Sequence, residues 1–145
     1  MLIKFLKFQD LSTSLLYEIM KLRFNTFVLE QNSLYEEFDD IDYKATHVLF
    51  EENEKLIAYL RIYSKRGGVV SFGRVVVAPE YRKRGYGREI VEKALEYIEK
   101  EMNIDTVEIE AQEYLKEFYS SFGFVQTSQP FDDCGVSHIE MRKEF

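Results

Sequence analysis

The sequence predicts an α/β domain built on a mixed, mostly antiparallel sheet flanked by helices. Three observations predict it. Bulky, β-branched segments with partial alternation recur along the chain. Two longer stretches carry apolar residues at helical spacing. Short polar or glycine-containing turns separate the two kinds. In order they read β-α-β-β-β-α-β-α-β-β over 145 residues, a length that suits one domain with its own core.

"LIKFLKF" is the first strand. The cluster Asp10, Ser12, Thr13, Ser14 offers N-caps for a helix from about Leu11 to Leu29, marked by Leu15, Ile19, Leu22 and Thr26 or Phe27. "EQNSLYEEFDDIDYKA" is acidic and aperiodic, and reads as a loop. "THVLFEE", "KLIAYLRIYS" and "VVSFGRVVV" are three consecutive antiparallel strands, turned at Glu52–Asn53–Glu54 and at Gly67–Gly68. After Gly87 the stripe Ile90, Val91, Ala94, Leu95, Ile98, Met102 predicts the clearest helix. Glu89 with Lys93, and Glu96 with Lys100, stand at the i,i+4 spacing on its outer side. "DTVEIEA" is a strand, "EYLKEFYSSFG" a short helix stopped by Gly123, and "FVQTS" and "VSHIEMRKE" are the closing strands.

Composition narrows the function classes. The chain is 46% hydrophobic and 31% charged, so it is globular rather than disordered. No apolar run approaches the ~20 residues of a membrane helix, and the N-terminus lacks the form of a signal peptide. Cys134 is the only cysteine, which excludes an internal disulfide and a cysteine-based zinc site. The expected compartment is the cytoplasm, with no metal and no membrane partner. A formal net charge of −7 argues against nucleic acid as a partner. A homodimer is compatible with the sequence and not specified by it.

Against that negative charge, Arg82, Lys83 and Arg84 gather directly before Gly85 and Gly87. A strand that ends in such a loop and feeds a helix presents free backbone N–H groups at the positive end of the helix dipole. That is an anion site suited to phosphate; the plain alternative is a solvated turn. The loop is neither a P-loop nor a dinucleotide fingerprint, for it lacks G-x-x-x-x-G-K-[ST] and a third spaced glycine.

"RKRGYG" after "VVVAPEY" resembles the acetyl-CoA-binding motif of the GNAT N-acyltransferases, R/Q-x-x-G-x-G/A. The second half of that family's pattern follows as "VEIEA" and "EYLKEFYSSFGF", with Tyr119 and Gly123–Phe124 in the expected places. Gln112 departs from the asparagine common there. The first half, "LRFNTFVLEQNSLYEEFDDIDYKATHVL", and "GVSHIEM" are similar to the ElaA-type branch of the superfamily. The resemblance spans the chain and implies one GNAT domain over residues 1–145, with central strands that splay apart around the pantetheine arm of CoA.

It also implies roles. Val75, Val76 and Val77 would meet pantetheine and thioester through main-chain groups, and the pyrophosphate would lie on Arg82, Lys83, Arg84, Gly85, Tyr86 and Gly87. The implied reaction is acetyl transfer from acetyl-CoA to a primary amine of a small molecule or peptide. A CoA-binding sensor without turnover is the alternative. Tyr119 is the candidate acid for the departing thiolate, since a phenol pKa of ~10 lies near that of an alkyl thiol; otherwise it is a core tyrosine. Glu30 and His138, with Glu110 behind them, are candidate bases for the ammonium. Gln31, Arg74 and Asp40 are candidates for acceptor contact.

The run Glu36, Glu37, Asp39, Asp40, Asp42 has three readings. It is a solvated loop, a patch that attracts a cationic acceptor, or, against its spacing, a calcium loop. Arg23 and Arg74 are candidates to organise it.

Overall fold

The computed structural model describes residues Met1 to Phe145. Eight strands form one sheet, β1 (Leu2–Lys7), β2 (Thr46–Glu52), β3 (Lys55–Arg66), β4 (Val69–Val77), β5 (Thr106–Gln112), β6 (Val125–Gln126), β7 (Phe131–Asp133) and β8 (Val136–Glu144). The order is β1-β2-β3-β4-β5-β8-β6, and β7 also pairs with β8. The first four strands are antiparallel neighbours; β2, β3 and β4 are joined by tight turns, as expected, whereas β1 pairs with β2 across the intervening helices. Asn53 (φ 52°) and Glu54 (φ 64°) make the tight β2–β3 turn.

Helix α1 (Thr13–Arg23) starts where the Ser12 hydroxyl accepts the Leu15 N–H at 3.0 Å. It does not continue as α-helix to Leu29. From Phe24 to Glu30 it widens into a π-helix, with Gln31 N–H bonded to Thr26 O (3.2 Å) and Ser33 N–H to Val28 O (3.1 Å). "FNTFV" is rich in aromatic and β-branched residues, which lose side-chain freedom in a tight α-turn. Such widenings recur at functional sites.

Helix α2 (Tyr86–Lys100) buries the expected stripe Ile90, Val91, Ala94, Leu95, Ile98. Of the two expected outer pairs, Glu96–Lys100 forms, at 3.8 Å, whereas Lys93 turns to Glu96, at 3.9 Å, rather than to Glu89. Helix α3 (Lys116–Ser120) stops at Gly123 (φ 95°), whose N–H bonds to Ser120 O at 2.9 Å. "FVQTS" yields only the two-residue β6, because Thr127 and Ser128 turn to bond the backbone of Glu140. β7 was not expected; its two-residue turn to β8 uses Cys134 (φ 51°) and Gly135 (φ 86°).

The main core lies on the α2 and α3 face of the sheet, and a smaller one of Ile19, Leu49, Tyr59 and Val76 lies on the α1 face. No helix is long and apolar enough to cross a membrane.

The decisive feature is the β4–β5 junction. These two strands run parallel and pair only at Val69–Thr106 and Val70–Val107. Beyond those pairs they diverge, so the inner edges of β4 and β5 open into a wedge.

Candidate active site

The wedge holds a cavity of about 500 Å³, bounded by β4 from Phe72 to Val77 and by β5 from Ile109 to Gln112. The other walls come from the π-helix (Thr26, Phe27, Glu30, Gln31), the following loop (Ser33, Tyr35) and α3 with its approach (Tyr114, Leu115, Phe118, Tyr119).

A β-bulge shapes the β4 wall. Gly73 faces Arg61 and Val76 faces Tyr59, so Arg74 and Val75 together oppose Leu60. Arg74 takes φ 55° there, a left-handed conformation uncommon for its type. After the bulge the strand is regular. Ala78 N–H bonds Ile57 O at 2.8 Å, so it points to β3. Main-chain direction alternates, which turns Val76 to β3 and Val75 and Val77 to the wedge. Val75 and Val77 are therefore placed to pair with a bound chain. Val76 is not: its side chain also goes to the small core.

At the wide end, Gly85 (φ 83°) caps α2 and Lys83 adopts φ 63°. No backbone N–H from Lys83 to Arg88 donates to a main-chain acceptor outside the helix ladder, as expected at a helix start. Lys83 and Arg84 are exposed and pair with no carboxylate. The third cation is engaged. Arg82 holds Glu30 through two bonds of 2.7 and 3.0 Å and gives Nε to Val77 O at 3.0 Å. Arg82 keeps the Glu30 carboxyl below its usual range, which weakens Glu30 as a base.

Tyr119 is 6% exposed and lines the cavity. No hydrogen bond within the chain engages its hydroxyl, yet that oxygen is not among the fully buried polar atoms lacking a partner, so it reaches the cavity surface. Burial pushes its pKa up, so it keeps its proton through the neutral range. His138 stands across from Gln112 on β8 and lines the cavity. Its Nδ1 lies 2.9 Å from Val136 O, which can only accept, so Nδ1 carries a hydrogen, and in the neutral ring the lone pair is on Nε2. Glu110 also lines the cavity; it is exposed and outside the hydrogen-bond register of any cation.

The acidic run is neither a uniformly solvated loop nor a free anionic patch. Glu37 and Asp42 are buried and bound by arginines. Arg23 bonds Glu37 and Asp42, each at 2.6 Å. Arg61 bonds Asp39 at 2.7 and 2.8 Å and Asp42 at 3.1 Å. Arg74 bonds Glu37 at 2.9 Å. Tyr35 donates to the other Glu37 oxygen. Burial raises the carboxyl pKa of Asp39 and of Asp42, but the arginines outweigh it and hold both below their usual range. Beneath them His47 bonds Tyr59 Oη (2.6 Å) and Asp42 O (2.9 Å), and burial lowers its pKa.

Arg23 and Arg74 thus organise this region, joined by Arg61, which the sequence reading missed. The available signal was a lone arginine inside the apolar run "LIAYLRIYS". Arg74 and Gln31 line the cavity, and Gln31 accepts from Gln112 Nε2 at 3.3 Å. Asp40 does not line it; at φ 66° it is an exposed turn residue.

A family model described as an acetyltransferase (GNAT) domain matches residues 14–145. The chain belongs to the GNAT family. Among curated relatives, a UPF0039 protein of Schizosaccharomyces pombe is 41% identical, covering 94% of this chain and 93% of that protein. ElaA of Escherichia coli is 34% identical, covering 93% and 91%. The crystal structure of E. coli ElaA superposes with a TM-score of 0.91 at 33% identity, covering 99% of both chains. That of an acyl-CoA N-acyltransferase from Pseudomonas aeruginosa superposes with a TM-score of 0.92 at 31% identity, covering 97% of both. As in other GNAT proteins, the chemistry at hand is acyl transfer from CoA.

Proposed function

We propose that residues 1–145 form one N-acetyltransferase domain that moves acetyl from acetyl-CoA to a primary amine of a small molecule or peptide. The observation that carries this reading is the wedge. It runs from a helix start with unpaired backbone N–H groups, along the outward main-chain groups of Val75 and Val77, to the hydroxyl of a buried tyrosine that has no partner in the chain.

Lys83, Arg84 and the N–H groups up to Gly87 hold the pyrophosphate. Val75 and Val77 align the pantetheine and leave donors for the carbonyl oxygen as it gains charge. His138 Nε2 takes the proton of the incoming ammonium, a task for which Glu30 is poorly placed while it binds Arg82. The amine nitrogen bonds the carbonyl carbon, the carbon–sulfur bond breaks, Tyr119 gives its proton to the sulfur, and the phenolate recovers a proton from the nitrogen as the neutral amide forms. Burial raises the pKa of the phenol, and it raises that of a thiolate departing into the same apolar space, so the two stay matched. Gln31 and Arg74, on the opposite wall, border the acceptor.

The test is thiol release from acetyl-CoA across a panel of amines and peptides, with CoA titration alongside. Amine-dependent release supports the reading. Absence of CoA binding overturns it. Tight CoA binding without release for any amine replaces it with a CoA-binding sensor.

A further inference from the structure

The wedge has a blind end, and one side chain closes it. The donor's phosphates belong at the loop after Val77, so its acyl end points back along β4 toward the apex, where the strands rejoin at Val70–Val107. Phe72 and Ile109 lie two residues beyond those partners, so their side chains fall on the same face. Both line the cavity, whereas Val70 and Val107 do not. Phe72 is 3% exposed, and its ring centroid is 6.2 Å from that of Tyr119 and 6.0 Å from that of Phe124. Phe124 is buried and does not line the cavity. The Phe72 ring is therefore the partition between the acyl end of the wedge and the main core.

We infer that Phe72 sets the acyl-chain limit of the donor, so that this site takes acetyl and similarly short acyl-CoA thioesters and rejects chains of medium length. The inference rests on the donor reading above. Space behind the ring is apolar core, so removing the ring opens a compartment suited to methylenes and to nothing polar.

The experiment uses unreactive S-alkyl thioethers of CoA, from ethyl to hexyl, titrated against the intact protein, so no acceptor is needed. The parent is expected to bind S-ethyl-CoA about as well as CoA, and S-hexyl-CoA clearly more weakly. Phe72→Ala should raise the hexyl-to-ethyl affinity ratio by about fourfold for each methylene that enters the new space. Phe72→Leu keeps the core better filled, and should shift the ratio the same way by less; it decides the matter if the alanine variant does not fold. An unchanged ratio in a folded variant, or a parent that binds the hexyl and ethyl compounds equally, overturns the inference. A parent that binds neither CoA nor any thioether overturns the donor reading instead.

Discussion

Arg82 grips Glu30 with both terminal nitrogens, at 2.7 and 3.0 Å, and so ties the end of the π-helix to the end of β4. Both residues line the cavity. On the proposed donor site, a bound pyrophosphate would compete with Glu30 for this guanidinium.

Glu30→Gln is therefore expected to tighten CoA binding. The pair is half-exposed, and exposed pairs contribute at most about 1 kcal/mol, so the gain is up to about fivefold. Titration of CoA at low and high salt measures it, and the gain should shrink as salt rises. Weaker CoA binding by the variant would mean that Glu30 orients Arg82 for phosphate rather than competing with it.

Gly85→Val is expected to remove the rise in melting temperature that CoA gives the parent. A Cβ at Gly85 would meet no atom within 4 Å, so the strain comes from φ 83° alone and costs about 1–2 kcal/mol. The variant should fold, melt lower, and no longer respond to CoA. A preserved CoA response would place the phosphates elsewhere.

The acidic loop divides into two kinds of residue. Glu37→Gln leaves Arg23 and Arg74 short of a buried partner, and is expected to cost about 3–5 kcal/mol. Asp40→Asn, at an exposed turn, should stay within about 0.5 kcal/mol of the parent and leave the acceptor KM unchanged. Denaturant unfolding separates the two; similar costs would refute the partition of this loop into buried pairs and solvated turn.

Stability should fall in acid in two stages. His47 has a folded pKa below its unfolded ~6.5, so its contribution is complete above that pH and declines as pH drops through it. Asp39 and Asp42 have depressed folded values, so their contribution is present above the unfolded ~3.9 and is lost below it. His47→Gln should abolish the first stage and leave the second. A melting profile flat from pH 7 to 5 in the parent would contradict the His47 assignment.

Tyr119→Phe keeps the ring packed against Phe72 and Phe124 and removes only the hydroxyl. kcat is expected to fall by about 10²–10⁴-fold, with CoA affinity nearly unchanged. Single-turnover measurement guards against slow product release masking the loss. A chemical step within twofold of the parent would remove Tyr119 from the reaction.

The α2 stripe, the three-strand meander and the Gly85 loop were legible because each is a local pattern: a helical period, an alternation, a glycine where φ is positive. The end of α1 was not legible, since α and π turns share nearly the same apolar spacing. β7 is three residues long and exists through its partner β8. The bulge at Arg74 has no glycine at its left-handed position to announce it. The acidic run misled for a related reason. Carboxylate spacing gives no information on which arginines fold back upon it, and Arg61 comes from a strand that otherwise reads as core.

Seen mechanically, the sheet is two plates hinged at Val69–Thr106 and Val70–Val107. One plate, β1 to β4, carries the bulge; the other, β5 to β8, carries Gln112 and His138. A small change in the angle at the hinge is magnified with distance from it. Substitutions at the buried Val70 and Val107, far from any reacting atom, would alter the spacing across the whole slot, and a ligand laid between the plates would lock the angle as a missing strand does.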